Sequence, residues 1–288
     1  MKSDMKLDTS YGPIYFDITG PDDAPAVVFT HGITLDHTAF DSQASALFDR
    51  YRVLRWDLPG HGRSVPFHGE FRFDTLADGL KRTMDAAGLN SAVLVGQSIG
   101  SWIGQYFAHK HPERAHALVD IGGTPLHHRT SPFMALVWRI LLKSSVLIPE
   151  GQFYRWFARE RAFTADAREH LETAASRMGK RRIMEFTNSY AKDWLAGLPE
   201  APSVPLLITH GEHEIGFVRK QSARWHAGAP GSQYAVIPKA GHLANQDNPA
   251  AFNSVLMEFL LRLGNETTGS EPRGPSPASE TRREAQPV

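Results

Sequence analysis

Six short apolar runs, each separated from the next by turn-rich or helical sequence, constrain this chain more than any other feature. They are Ala26–Thr30, Arg52–Arg55, Ala92–Gly96, Ala117–Ile121, Pro205–Thr209 and Tyr234–Ile237, rich in Val, Ile and Leu. Apolar character that does not alternate predicts strands covered on both faces, as in a parallel sheet. Between them lie amphipathic stretches. In one, Leu76, Leu80, Met84 and Ala87 share a face, Asp74 is the predicted N-cap and Gly88 the predicted C-terminal stop. Strand, helix, strand in repetition predicts an open α/β sheet. Leu7–Ile18 reads instead as a hairpin around Tyr11-Gly12-Pro13 at the sheet edge.

Residues 125–202 break this rhythm. They offer no convincing strand but carry Trp138, Phe153, Tyr154, Trp156, Phe157, Phe163, Phe186, Tyr190 and Trp194 on helical patterns. These aromatics are expected to form the core of a helical insertion that acts as a lid, some of them lining a pocket beneath it. A final helix is predicted over Pro249–Leu263. From 265 to 288 the chain turns to Asn, Glu, Thr, Ser, Pro and Arg and is expected to be a disordered tail.

Composition excludes several classes of function. The absence of cysteine removes disulfides, thiolate zinc sites and cysteine nucleophiles. Thirty-one basic against 31 acidic side chains lacks the basic surplus of a nucleic-acid binder. No run reaches the roughly 20 apolar residues of a membrane span, and Phe133–Ile148 is broken by Arg139, Lys143, Ser144 and Ser145. With no apolar export segment near Met1, a cytoplasmic location is expected.

The chemistry is expected at Gly96-Gln97-Ser98-Ile99-Gly100, which follows a predicted strand and precedes a helical stretch, Trp102–His109. That context puts Ser98 on a sharp turn with helix N–H groups behind it, as a serine nucleophile requires. A serine hydroxyl needs a base. His242, in a loop just after the last predicted strand, is the candidate among 14 histidines. The acid that orients it is expected in the turn after Pro205–Thr209. Glu214 is preferred there, with Glu212 and the earlier Asp120 as rivals. The N–H groups of Ile33, after the His31-Gly32 turn, and of Ile99 are the expected oxyanion hole. His31 itself and the Asp57–Ser64 stretch are read as scaffold.

Taken in order, His31-Gly32, Asp57-x-x-Gly60-x-Gly62-x-Ser64, Gly96-x-Ser98-x-Gly100, Gly211-x-x-Glu214 and Gly241-His242 resemble the α/β-hydrolase superfamily over about residues 5–263. The resemblance implies the α/β-hydrolase fold: a mostly parallel eight-stranded sheet with a helical cap inserted after strand 6. It divides the chain into a core of residues 1–124 and 203–264, a cap of 125–202 and a tail. Glu214 stands where most members carry Asp. Ser98 separates the chain from relatives with an Asp nucleophile, the haloalkane dehalogenases and epoxide hydrolases.

The activity implied is a serine esterase or lactonase acting on a largely apolar, small to medium substrate, with no metal or organic cofactor required. A cofactor-free acyltransferase, a thioesterase, a carbon–carbon bond hydrolase and a ligand-binding receptor with residual turnover are the alternatives on this scaffold.

Overall fold

The computed structural model describes residues 3–128, 140 and 145–268. Eight strands form one sheet: β1 (Ser3–Thr9), β2 (Gly12–Thr19), β3 (Ala26–Thr30), β4 (Arg52–Trp56), β5 (Ala92–Gln97), β6 (Ala115–Ile121), β7 (Leu206–Gly211) and β8 (Gln233–Ile237). Their order is β1-β2-β4-β3-β5-β6-β7-β8. The predicted hairpin is the antiparallel β1–β2 edge, and from β4 onward every pairing is parallel. All six predicted strands are present, with ends shifted by no more than two residues.

Why the runs are continuously apolar is plain from the packing. Along β3, Val27 and Phe29 enter a buried cluster on one face of the sheet while Val28 enters a second cluster on the other. The final helix covers the first face through Phe252, Phe259 and Leu260, together with Ala44 and Leu47 of α1 (Asp41–Leu47). Leu76, Leu80 and Met84 of α2 (Phe73–Ala86) and Ile103 and Phe107 of α3 (Ile99–Lys110) cover the second. Burying one such side chain contributes about 1.5–3 kcal/mol.

Among the described residues, three longer helices lie between β6 and β7: Glu150–Arg159, Ala165–Met178 and Lys180–Ala196. Their side chains join both clusters. Phe153, Tyr154, Phe157 and Leu171 enter the first, while Phe186 and Tyr190 enter the second. Phe186 stacks on Phe71 at 4.2 Å and 6°. Most of the predicted aromatics are therefore used in packing, although Trp156 and Phe163 remain partly exposed. Trp138 lies outside the described residues.

The start of α2 differs from its predicted capping. Arg72, not Asp74, occupies the cap position, and its side chain makes no capping bond. The Asp193 carboxylate, from the helix Lys180–Ala196, accepts the Phe73 N–H at 2.8 Å and grips the Arg72 guanidinium. A partner 120 residues away does what a local side chain was expected to do. The last helix runs Pro249–Thr268, past its predicted end. Residues 269–288 of the expected tail lie outside the described residues. Among the described residues, no helix is long and apolar enough to cross a membrane.

Candidate active site

Ser98 sits between β5 and α3 with φ 55° and ψ −116°. That backbone costs an L-residue on the order of 1–3 kcal/mol and persists only where the surroundings enforce it. Its N–H donates to the Ile121 carbonyl at 2.9 Å, and its own carbonyl receives the Ser101 N–H at 3.0 Å. The glycines on either side permit the turn. A Cβ on Gly96 would lie 2.3 Å from the Gly100 carbonyl carbon, and one on Gly100 would lie 2.1 Å from the Thr30 oxygen. Ile99 opens the helix, where the first N–H groups have no partner within the helix.

His242, whose carbonyl is bound by Gln97 next to Ser98, meets Glu214. The His242 Nδ1 lies 2.8 Å from Glu214 Oε2, and the other carboxylate oxygen accepts the Ile215 N–H at 2.7 Å. A carboxylate only accepts, so the ring proton belongs on Nδ1 and Nε2 keeps its lone pair. Gly122 makes room for the contact. With φ +64°, a Cβ there would stand 2.6 Å from Glu214 Oε2 and 2.9 Å from His242 Nδ1.

The rival acids sit elsewhere. The Glu212 side chain is 54% exposed, against 0% for Glu214, and accepts the Lys239 N–H at 3.0 Å. Asp120 is buried on β6, where its Oδ1 accepts the Ser101 hydroxyl while its Oδ2 has no hydrogen-bond partner. Burial pushes its carboxyl up to about 7, opposed by bonds from Ser101 and the Gly123 N–H and assisted by the Glu214 charge.

The His242 loop is clasped from several sides. Gln97, beside Ser98, donates from Nε2 to the His242 carbonyl at 3.1 Å. The Arg161 carbonyl accepts the His242 N–H at 2.7 Å and the Leu243 N–H at 3.3 Å. Asp247 accepts the Phe163 N–H, the Thr164 N–H and hydroxyl, and the Gly241 N–H, all within 3.0 Å. Phe163 also stacks on His213 in the acid loop at 4.5 Å. Arg161, Asp247 and Gln97 escaped the reading of the sequence. No local pattern marks them, since all of these partners but Gly241 lie 81 to 145 residues away.

The neighbouring strand β3 delivers His31-Gly32-Ile33 to the same carboxyl end of the sheet as Ser98, with Thr30 paired to Gly96. His31 is fully buried, accepts the Leu58 N–H on Nε2 at 3.0 Å and donates from Nδ1 to the Gly32 carbonyl at 2.8 Å. Both ring nitrogens are used, which suits a neutral scaffold residue, and burial lowers its pKa. Ile33 is half-buried and Ile99 buried.

Asp57 accepts the His37 N–H and Nδ1 at 2.7 Å each and the Arg63 N–H at 2.7 Å, tying its loop together as scaffold. Asp36, His37 and Asp57 bring potential metal-ligand atoms within 4.8 Å of one another. The bonds already made by both Asp57 oxygens compete with any such use.

The model of the Alpha/beta hydrolase family matches residues 27–255. The chain is 28% identical over 249 residues to 2-succinyl-6-hydroxy-2,4-cyclohexadiene-1-carboxylate synthase of Enterobacter sp. (strain 638), a match covering 82% of this chain and 92% of that one. Among solved structures it resembles a thermophilic esterase from Thermogutta terrifontis, with TM-score 0.74, 23% identity and coverage of 91% and 99%. It also resembles the enol-lactonase from Burkholderia xenovorans LB400, with TM-score 0.69, 21% identity and coverage of 89% and 100%. At these identities the structural likeness bears on the fold. The family match spans far more than half of the sequence, and the chain belongs to the alpha/beta hydrolase family.

Proposed function

We propose that this chain is a serine hydrolase that cleaves a carboxylic ester or lactone through Ser98, His242 and Glu214. The observation that carries this reading is the buried 2.8 Å contact between His242 and Glu214, held beside the strained turn that presents Ser98. The esterase and the enol-lactonase among similar structures agree with it.

In this mechanism His242 Nε2 takes the Ser98 hydroxyl proton as Oγ attacks the acyl carbonyl. Glu214 holds the imidazole in the Nδ1–H tautomer and stabilises its charge once protonated. The Ile33 and Ile99 N–H groups hold the tetrahedral oxyanion, each worth about 3 kcal/mol in the transition state. His242 then protonates the departing alkoxide, and an ester's alcohol leaves while a lactone's stays tethered. Water, deprotonated by the same imidazole, attacks the acyl-enzyme and releases the acid. The helices between β6 and β7 act as a cap over the site. The synthase relative favours, as a second reading, a non-hydrolytic reaction using the same serine.

A panel of 4-nitrophenyl esters and lactones tests the proposal. Native protein is expected to turn over at least one of them, and Ser98→Ala to lose about 10⁶-fold in kcat while keeping its melting temperature. Activity retained in Ser98→Ala would assign the chemistry to another group.

A further inference from the structure

A cavity of ≈430 Å³ opens between the core loops at 34–37 and 60–65 and the cap helices Ala165–Met178 and Lys180–Ala196. It starts at Thr34, one residue beyond Ile33. Three guanidinium groups line it, Arg63 from the core and Arg177 and Arg182 from the cap, against a single carboxylate, Asp36. Arg63 is paired with Asp4 at 3.2 Å, and Asp36 is engaged by Thr38. Neither Arg177 nor Arg182 has a carboxylate partner among the described residues, although neighbouring Arg181 pairs with Glu185.

Two deeply buried side chains among its lining residues each carry a polar atom with no hydrogen-bond partner. Thr34 is 4% and His61 1% exposed, and Thr34 Oγ1 and His61 Nε2 are both unpartnered. Both atoms are almost wholly enclosed, so the ligand chemistry of the cavity is read from its guanidinium groups. The His61 Nδ1 faces the Pro59 carbonyl at 3.2 Å, which places its proton there and leaves Nε2 as an acceptor. Three cations against one carboxylate describe a site for an anion.

We propose that this cavity binds a carboxylate on the substrate, so that the preferred ester or lactone is anionic at the end remote from the scissile bond. Planar guanidinium forks match a carboxylate edge to edge, and the volume suits a small ligand. The inference rests on the hydrolase reading and deepens it. It replaces the apolar substrate predicted from the aromatic content of the cap, because Phe186 and Tyr190 are occupied in packing.

The test compares the 4-nitrophenyl half-ester of glutaric acid with 4-nitrophenyl pentanoate, in native protein and in Arg177→Gln/Arg182→Gln. Native kcat/KM is expected to favour the half-ester tenfold or more, and the double variant to lower that ratio at least tenfold. The ratio is taken within each protein, so a general loss of stability cancels. A native ratio near one, or one unchanged in the variant, overturns the proposal.

If neither ester is turned over, calorimetric titration with glutarate and with neutral glutaramide decides. Saturable binding of glutarate alone, lost in the double variant, supports the site, and no saturable binding overturns it. Fluorophosphonate labelling read alongside keeps the two claims apart. Glutarate binding without a Ser98 adduct would sink the hydrolase reading and leave the anion site standing.

Discussion

The two halves of the candidate site are built by different means. The nucleophile side is largely local: five contiguous residues, two of them glycines with no space for a side chain, hold Ser98 in its strained turn, braced by the Ile121 carbonyl and by Thr30 of the adjoining strands. The histidine side is assembled from afar, with Glu214 from the loop after β7, Gly122 from the loop after β6, and Arg161 and Thr164 from the helical segment between β6 and β7. Strain that is enforced locally survives a change elsewhere, whereas a clasp drawn from distant segments depends on each of them. The nucleophile half should therefore fail when its own residues or the strands beside it change, and the histidine half when any of several loops shifts.

The largest effect that sharpens this contrast lies at the acid. Glu214→Gln is expected to lower kcat by about 10⁴-fold, as loss of an orienting carboxylate does elsewhere, with little change in KM. Glu212→Gln, exposed and bonded only at the surface, should stay within about twofold. Steady-state kinetics of both variants check the ranking, and the reverse order would move the acid's role to Glu212.

A smaller effect is expected at Asp247, a positioning residue that touches neither Ser98 nor the His242 ring in this structure. Asp247→Asn keeps the volume but replaces one acceptor oxygen with a donor facing N–H groups. The histidine loop should loosen and kcat fall by about 10- to 100-fold. The rate of Ser98 labelling should fall with it, and Asp247→Glu should restore part of the loss. Equal kinetics in Asp247→Asn and native protein would mean that the clasp has no bearing on the chemistry.

The smallest effect is a pH dependence of stability. Asp120 is raised to about 7 in the folded chain, above its ordinary 3.8. Between these values the folded state holds a proton that the unfolded state has released. Stability contributed by this group is therefore present at low pH and lost as pH rises toward 7. Denaturant titrations from pH 4 to 8 should show that decline in native protein and a flatter profile in Asp120→Asn. Matching profiles would place the proton elsewhere.

The same division explains what was legible in the sequence. Strand positions follow from local composition, and Val27, Val28 and Phe29 disclose two covered faces without any tertiary knowledge. Gly96 and Gly100 announce the Ser98 turn because backbone crowding leaves no alternative residue. Glu214 and Glu212 are two residues apart in one turn, and only the path of the loop decides which enters the interior. Capping by Asp193 and the bonds of Asp247 and Arg161 join segments far apart in the chain, and nothing in the flanking residues encodes such partners. The cavity arginines read as ordinary surface charges until the helices between β6 and β7 are laid against the loop at 60–65.

The most direct test of the central claim is intact-mass labelling with a fluorophosphonate, followed by peptide mapping, because it requires no substrate. The account predicts a single adduct on Ser98, formed in native protein and lost in His242→Ala. An adduct on another residue, or labelling of Ser98 undiminished in His242→Ala, would contradict it.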